Sequence, residues 1–310
     1  MAESLTLLDP KKLHRNPDNP RLIFRQDELN ALADSIAKQG ILVPLTVYRD
    51  HGKFYLLDGE RRWRCAIKIG HKSVPVIIQP KPDKLQNIMM MFAIHNARKD
   101  WDPLPTALKL QDLGNIFLKS RKRKPTEQEL ADLASMPRGE IRRLRKLLAL
   151  PKQYRTMLMQ ELEKPKQEQE LTVDHVLEAT KGVEALRKRG IIDVRQEEKL
   201  RHAVIQKFRK KVIKNTVAPR LLSKIARAVQ REELSLKEAR VISAKLVDDP
   251  NYSIDQAYHD SAEQVEMSHT LTQLLDRVTK ALKNYQDKGV KPNEELLKAI
   301  VKLKKALNEF

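Results

Sequence analysis

The stretch Leu57-Asp58-Gly59-Glu60-Arg61-Arg62-Trp63-Arg64-Cys65-Ala66 constrains this chain more than any other. A glycine separates an apolar run from a segment carrying Arg61, Arg62 and Arg64. Gly59 lets the backbone turn tightly and approach a ligand closely. A helix starting at Glu60 leaves its first amides unpaired and pointing outward. Those amides and the three arginines suit a phosphate group. The competing reading of such a cluster is a solvated basic helix start.

The flanking segments decide between the two. Gly40-Ile41-Leu42-Val43-Pro44-Leu45-Thr46-Val47 and Lys53-Phe54-Tyr55-Leu56-Leu57-Asp58 come before it, and Gly70 and Val74-Pro75-Val76-Ile77 follow. The entry segment carries Asn16-Pro17-Asp18-Asn19-Pro20-Arg21. Together these resemble the ParB family, whose amino-terminal domain carries a strand, the sequence G-E-R-R-[WY]-R-A, a helix and a V-P strand, behind an opening N-P-x-x-P-R. Cys65 stands where the family usually has alanine.

Three parts are expected. The resemblance implies that residues 1–110 form an α+β, ParB/sulfiredoxin-like nucleotide-binding domain and that an all-α DNA-binding domain follows over 111–260. The apolar stripes of 262–310 read as a helical hairpin, with dimerisation favoured over simple packing on the middle domain. The resemblance further implies that CTP with Mg²⁺ binds at Gly59, Glu60, Arg61, Arg62 and Arg64, assisted by Asn96 and by Arg98 or Lys99, with Asn96 near the metal. In the family the second group reads E-N-x-x-R. Here His95 replaces the glutamate, and a neutral imidazole is a poor ligand for a hard cation that prefers oxygen. Nucleotide binding is therefore better supported than CTP turnover, which stays open. The competing reading is that these polar residues only cap a helix.

Charge points to a polyanion. The net charge is +19 over 310 residues, and the window 121–160 holds eleven basic and four acidic residues. Such a block favours phosphate contacts with counterion release. Residues 221–310 are nearly neutral, with fifteen basic and fourteen acidic residues. The low glycine count and 33% charged residues favour helix over most of the length. A single cysteine excludes an internal disulfide framework. No apolar run nears the length of a membrane span, and no leader pattern opens the chain. The expectation is a cytoplasmic, nucleoid- or plasmid-associated protein without a membrane partner.

Within the basic window, Thr126 followed by Glu129 predicts a capping box at the start of a helix over 127–134. Ser135-Met136-Pro137 makes a turn, and Arg138-Gly139 opens a second helix. Inward positions are Leu130, Ala131 and Leu133 on the first, and Ile141, Leu144 and Leu148 on the second. This pattern, over 126–150, resembles a helix-turn-helix whose second helix enters the major groove. Arg138, Arg142, Arg143, Arg145 and Lys146 are its candidate DNA contacts, and Arg121, Lys122, Arg123 and Lys124 a preceding phosphate-contacting or solvated run. Arginine can read guanine or grip phosphate, and the sequence does not sort the five on the helix between these roles.

Further on, breaks are expected at Pro165, Gly182, Gly190 and Pro219, with the charged segment 194–214 an exposed helix or insertion. Leu171-Thr172-Val173-Asp174-His175-Val176 and Leu234-Ser235-Leu236-Lys237-Glu238-Ala239 resemble segments of the same family, and His175 is read as a structural polar residue. Leu271, Leu274, Leu275, Val278 and Leu282, then Leu296, Leu297, Ile300, Val301 and Leu307, form two stripes at helical spacing.

The family resemblance implies a clamp that closes on a palindromic DNA site and serves plasmid or chromosome partition with a ParA-type ATPase partner. The alternative is a ParB-like transcription regulator or accessory factor of a mobile element with little or no turnover. A remote third reading is a sulfiredoxin-like phosphoryl-transfer enzyme. It lacks its nucleophile, because Glu60 stands in the cysteine's place and Cys65 reads as a small buried thiol.

Overall fold

The computed structural model describes residues 5–19, 21–96, 102–289 and 291–309. The chain divides into two compact units, residues 1–180 with 208–217, and residues 181–207 with 218–310.

The first unit begins with a five-stranded sheet in the order β1-β5-β3-β4-β2. Its strands are β1 (Leu5–Leu8), β2 (Leu13–His14), β3 (Leu45–Asp50), β4 (Lys53–Asp58) and β5 (Val74–Gln79). β3 pairs antiparallel with β4 and parallel with β5. His51 and Gly52, both at positive φ, make the tight turn between β3 and β4, a geometry matched to strand twist. The opening segment contributes two short strands, and β3 starts at Leu45.

Period-two burial sorts the sheet residues. Leu13, Leu45, Val47, Leu56, Val74 and Val76 face one core with Ala66 and Trp63 of α2 (Glu60–Lys68). Behind α2, Cys65 meets Ala33 and Ile36 of α1 (Gln26–Gln39). Tyr48 and Leu57 belong to a second cluster with Met90 and Met91 of α3 (Lys84–Asn96), so the methionine run is packing material there.

The rest of this unit is helical. α4 (Pro103–Arg121) is followed by α5 (Glu127–Ala134), α6 (Arg138–Leu148) and α7 (Lys152–Glu163). α8 (Val173–Lys188) and α9 (Val194–Arg209) contain the unit boundaries. Glu161 is 1% exposed and accepts from Lys164, Arg209 and the Glu170 amide. Burial pushes its pKa up, but these hydrogen bonds prevail and hold the carboxyl below its ordinary range. His175 stacks on Phe208 at 4.4 Å and its Nδ1 accepts from the Thr172 amide. Burial depresses its pKa, which fits a structural, neutral imidazole.

The second unit contains α10 (Arg220–Gln230), α11 (Leu236–Asp248), α12 (Ile254–His259), α13 (Glu263–Asp287) and α14 (Glu294–Asn308). Two expectations are corrected here. Gly182 does not break the chain: α8 runs through it, because a side chain there would put its Cβ 2.3 Å from the Pro219 carbonyl oxygen. The glycine serves close packing. Segment 194–214 is largely a helix, as expected, but not an exposed one. Leu200, Val204, Ile205 and Phe208 of α9 are buried, and so are Glu197, Arg201 and Lys207 among its charged residues. Arg201 binds Glu197 and Glu198, and Lys207 donates to the Asp249 carbonyl. Ala262 and Glu266 are buried at the base of α13, whereas Leu271, Leu274, Leu275, Val278, Leu297, Val301 and Leu307 are all exposed.

Candidate functional site: an arginine-lined pocket and a helix-turn-helix

Gly59 is the hinge of the first site. Its φ of +95° is left-handed, and a Cβ would lie 2.9 Å from Leu45 Cγ and 3.1 Å from Arg62 Nη2. Conformation and space both demand glycine where β4 passes into α2. The amino-terminal amides of α2 then open toward a pocket of about 230 Å³. Phe24, Leu32, Leu56 and Leu57 give it apolar walls, and Asn19, Arg21, Asp58, Glu60, Arg61 and Arg62 supply polar groups.

The structure brings Gly59, Glu60, Arg61 and Arg62 to this pocket and gives them distinct tasks. Glu60 is 5% exposed, accepts from Asn19 Nδ2 at 2.6 Å, and pairs with Arg64 at 2.7 Å. Arg64 also lies over the Phe24 ring at 3.9 Å. Glu60 is therefore a buried counter-ion that fixes Arg64 and the opening segment. Arg62 donates to the Val43 and Pro44 carbonyls and pairs with Asp58 at 2.8 Å, so it clasps the loop between α1 and β3. Arg61 approaches Glu28 at 3.6 Å, and Arg21 lies 3.2 Å from the same oxygen. Glu28 also draws in Arg25 and Lys166, at 3.4 and 3.9 Å. Asn19, Arg21 and Glu28 escaped the sequence reading as pocket groups. The only available hint was the N-P-D-N-P-R opening, since their approach to α2 is a long-range contact.

Two cations and the helix amides suit a polyphosphate, and the apolar wall suits a flat ring. Asp58 and Glu60 are both engaged by arginine. Among the described residues, no cluster of three acidic, His or Cys side chains could hold a metal. The side chains of His95 and Asn96, with Arg98 and Lys99, lie outside the described residues. Cys65 is buried, donates from Sγ to the Leu29 carbonyl, and has its pKa raised by burial. It is a structural thiol.

The second site is the expected helix-turn-helix. Both arms of the Thr126–Glu129 capping box form, and Ser135 takes the left-handed turn position at φ 51°. Leu130, Ala131 and Ala134 of α5 and Ile141, Leu144 and Leu147 of α6 are buried. Leu133 and Leu148, expected inward, are half-buried, because the crossing uses the adjacent row on each helix. On α6, Arg142 bonds Glu127 at 2.7 Å, with Arg138 4.0 Å from the same oxygen. Arg143 pairs with Glu140 at 3.3 Å and Asp174 at 3.0 Å. Arg145 and Lys146 are exposed. The run Arg121, Lys122, Arg123 and Lys124 is exposed throughout, and within it Arg123 forks onto Glu129 at 2.5 and 2.8 Å.

A mixed sheet whose fourth strand turns through a glycine into an arginine-rich helix is followed here by a helical region with a helix-turn-helix. Residues 1–96 match the family model described as the ParB N-terminal domain. The chromosome-partitioning protein ParB of Caulobacter vibrioides (strain NA1000 / CB15N) is 32% identical over 151 residues, 47% of this chain and 47% of that protein. The probable chromosome-partitioning protein ParB of Xylella fastidiosa (strain Temecula1 / ATCC 700964) is 34% identical over 159 residues, 51% of this chain and 49% of that protein. This chain thus spans about half the length of these relatives. Among solved structures, the C-terminally truncated chromosome-partitioning protein ParB from Caulobacter crescentus complexed with CTP-gamma-S is 29% identical, with a TM-score of 0.30. The match covers 51% of this chain and 85% of that one. Among the described residues, no helix is long and apolar enough to cross a membrane.

Proposed function

We propose that this protein is a ParB-like, sequence-specific DNA-binding protein that works as a CTP-dependent clamp in plasmid or chromosome partition. The carrying observation is the arginine-lined pocket at the start of α2, in a chain that also presents a basic helix-turn-helix. The triphosphate would lie against the α2 amides, Arg61 and Arg21, with Arg62 and Arg64 shaping the pocket from behind. Asn96, with Arg98 or Lys99 and Mg²⁺, belongs to this reading through the sequence resemblance alone. When bound, the metal would supply charge neutralisation on the phosphates. Double-stranded DNA is the partner of α6. The exposed stripes of α13 and α14 would close a homodimer, and a ParA-type ATPase is the expected further partner.

A second reading keeps DNA and nucleotide binding but drops turnover, making the protein a regulator of a mobile element. His95 in place of the motif glutamate favours it. The test is binding and hydrolysis of each ribonucleoside triphosphate, with and without replicon DNA, using Arg61→Ala as the pocket variant. Selective CTP binding lost in that variant, with DNA-stimulated turnover, supports the clamp. Binding without turnover supports the regulator. No binding of any nucleotide refutes both nucleotide roles.

A further inference from the structure

The basic residues of α6 are not equivalent. Arg138, Arg142 and Arg145 stand at i, i+4 and i+7, so they share one exposed stripe on the helix. Arg143 is drawn aside by Glu140 and Asp174. Among the described residues, Arg145 and Lys146 form no ion pair, and they suit phosphate. Arg142 differs from all of these. Its Nε donates to Glu127 Oε2 at 2.7 Å across the motif, from the first turn of α5. Glu127 and Arg142 are 30% and 56% exposed at the side chain, so the pair sits on the surface that would meet DNA.

We infer that Glu127 is a specificity-determining positioning residue: it buttresses Arg142 so that the outer guanidinium edge is presented to a guanine, and it repels phosphate from that place. The inference rests on the DNA-binding reading above. A guanidinium held at Nε keeps its two terminal nitrogens for the O6 and N7 acceptors of guanine, which are read in bidentate fashion. Holding the side chain beforehand also reduces the rotamer freedom lost on binding. A carboxylate cannot donate to phosphate, and its charge opposes any register that places a phosphate there. Glu127 serves the same oxygen to Arg138 at 4.0 Å, so one anion orders two residues of the stripe. The Arg142 hydrogen bond is the leading cause that holds the Glu127 carboxyl below its ordinary range.

The test selects binding sites from a pool of randomised duplex DNA with the full-length protein and with Glu127→Gln, Glu127→Asp and Arg142→Ala. The wild type should select a motif containing a guanine that Arg142→Ala ceases to select. Glu127→Gln should bind random duplex about threefold to tenfold tighter, since one anion leaves the interface. It should also lose about tenfold of its discrimination at that same guanine, a fair share of a bidentate contact. Glu127→Asp keeps the charge but shortens the reach. It should lose the guanine preference without gaining affinity for random duplex. An unchanged motif in Glu127→Gln overturns the inference, as does equal weakening on all sequences, the mark of a structural role. A wild-type motif with no guanine dependent on Arg142 also overturns the inference and leaves the DNA reading standing. Failure of the wild type to bind any duplex overturns both.

Discussion

Arg62 and Asp58 face each other across the turn into α2, with Nη2 2.8 Å from Oδ2, while the same guanidinium holds the Val43 and Pro44 carbonyls. This relationship makes Arg62 a clasp on the loop beside the pocket. Arg62→Ala should therefore cost about 1–3 kcal/mol of stability, the usual range for losing charge-assisted hydrogen bonds at a half-buried site. Thermal unfolding measures it. Unchanged melting with lost nucleotide binding would assign Arg62 to phosphate alone.

Gly59→Ala should destabilise the protein by about 2 kcal/mol or more, because strain at positive φ adds to overpacking. The new Cβ would meet Leu45 Cγ at 2.9 Å, so the buried Leu45 side chain must give way. Denaturant unfolding of the variant checks this, and a loss below about 0.5 kcal/mol, the scale of a neutral surface change, would contradict the geometry.

Gly182→Ala tests the close approach in the second unit. Its Cβ would stand 2.3 Å from a backbone oxygen, which yields less easily than a side chain. Overpacking of this kind costs about 1–3 kcal/mol. If Gly182 were merely a tolerated helix glycine, alanine would stabilise α8 by about 1 kcal/mol, so the sign of the change in melting temperature decides.

Glu28 gathers Arg21, Arg25 and Arg61 beside the pocket. It should compete with an anion for Arg21 and Arg61. Glu28→Gln is expected to tighten triphosphate binding by about threefold to tenfold in a titration at low salt. Weaker binding would mean that Glu28 positions these arginines for the ligand.

The capping box gives a pH dependence. The Arg123 hydrogen bond, followed by that of the Thr126 amide, lowers the Glu129 pKa to about 2. A depressed carboxylate stabilises the fold above its unfolded pKa and loses that contribution as pH falls through the folded value. Stability should therefore decline between about pH 5 and pH 2. Glu129→Gln should flatten that decline in acid titrations followed by helical circular dichroism. An identical acid limb in both proteins would contradict the assignment.

Local rules carried a large part of this fold. The glycine between β4 and α2, the Thr126–Glu129 cap and the period of α5 and α6 each depend on residues within a turn or two, where propensity and spacing speak directly. The pocket's location followed from Gly59 and its arginines for the same reason. What each arginine does there depended in large part on partners outside its own helical turn. Arg62 reaches carbonyls of the loop before β3, Arg64 meets Glu60 and Phe24, and Arg61 meets Glu28. The same holds for Lys207 of α9, which donates to the distant Asp249 carbonyl, and for Gly182, whose purpose is the Pro219 carbonyl. Sequence by itself determined the type and order of most helices and strands and which residues could meet an anion. Only tertiary structure decided which of those charges are already spoken for, because ion pairs and close backbone approaches join residues whose spacing in the chain carries no periodic signal.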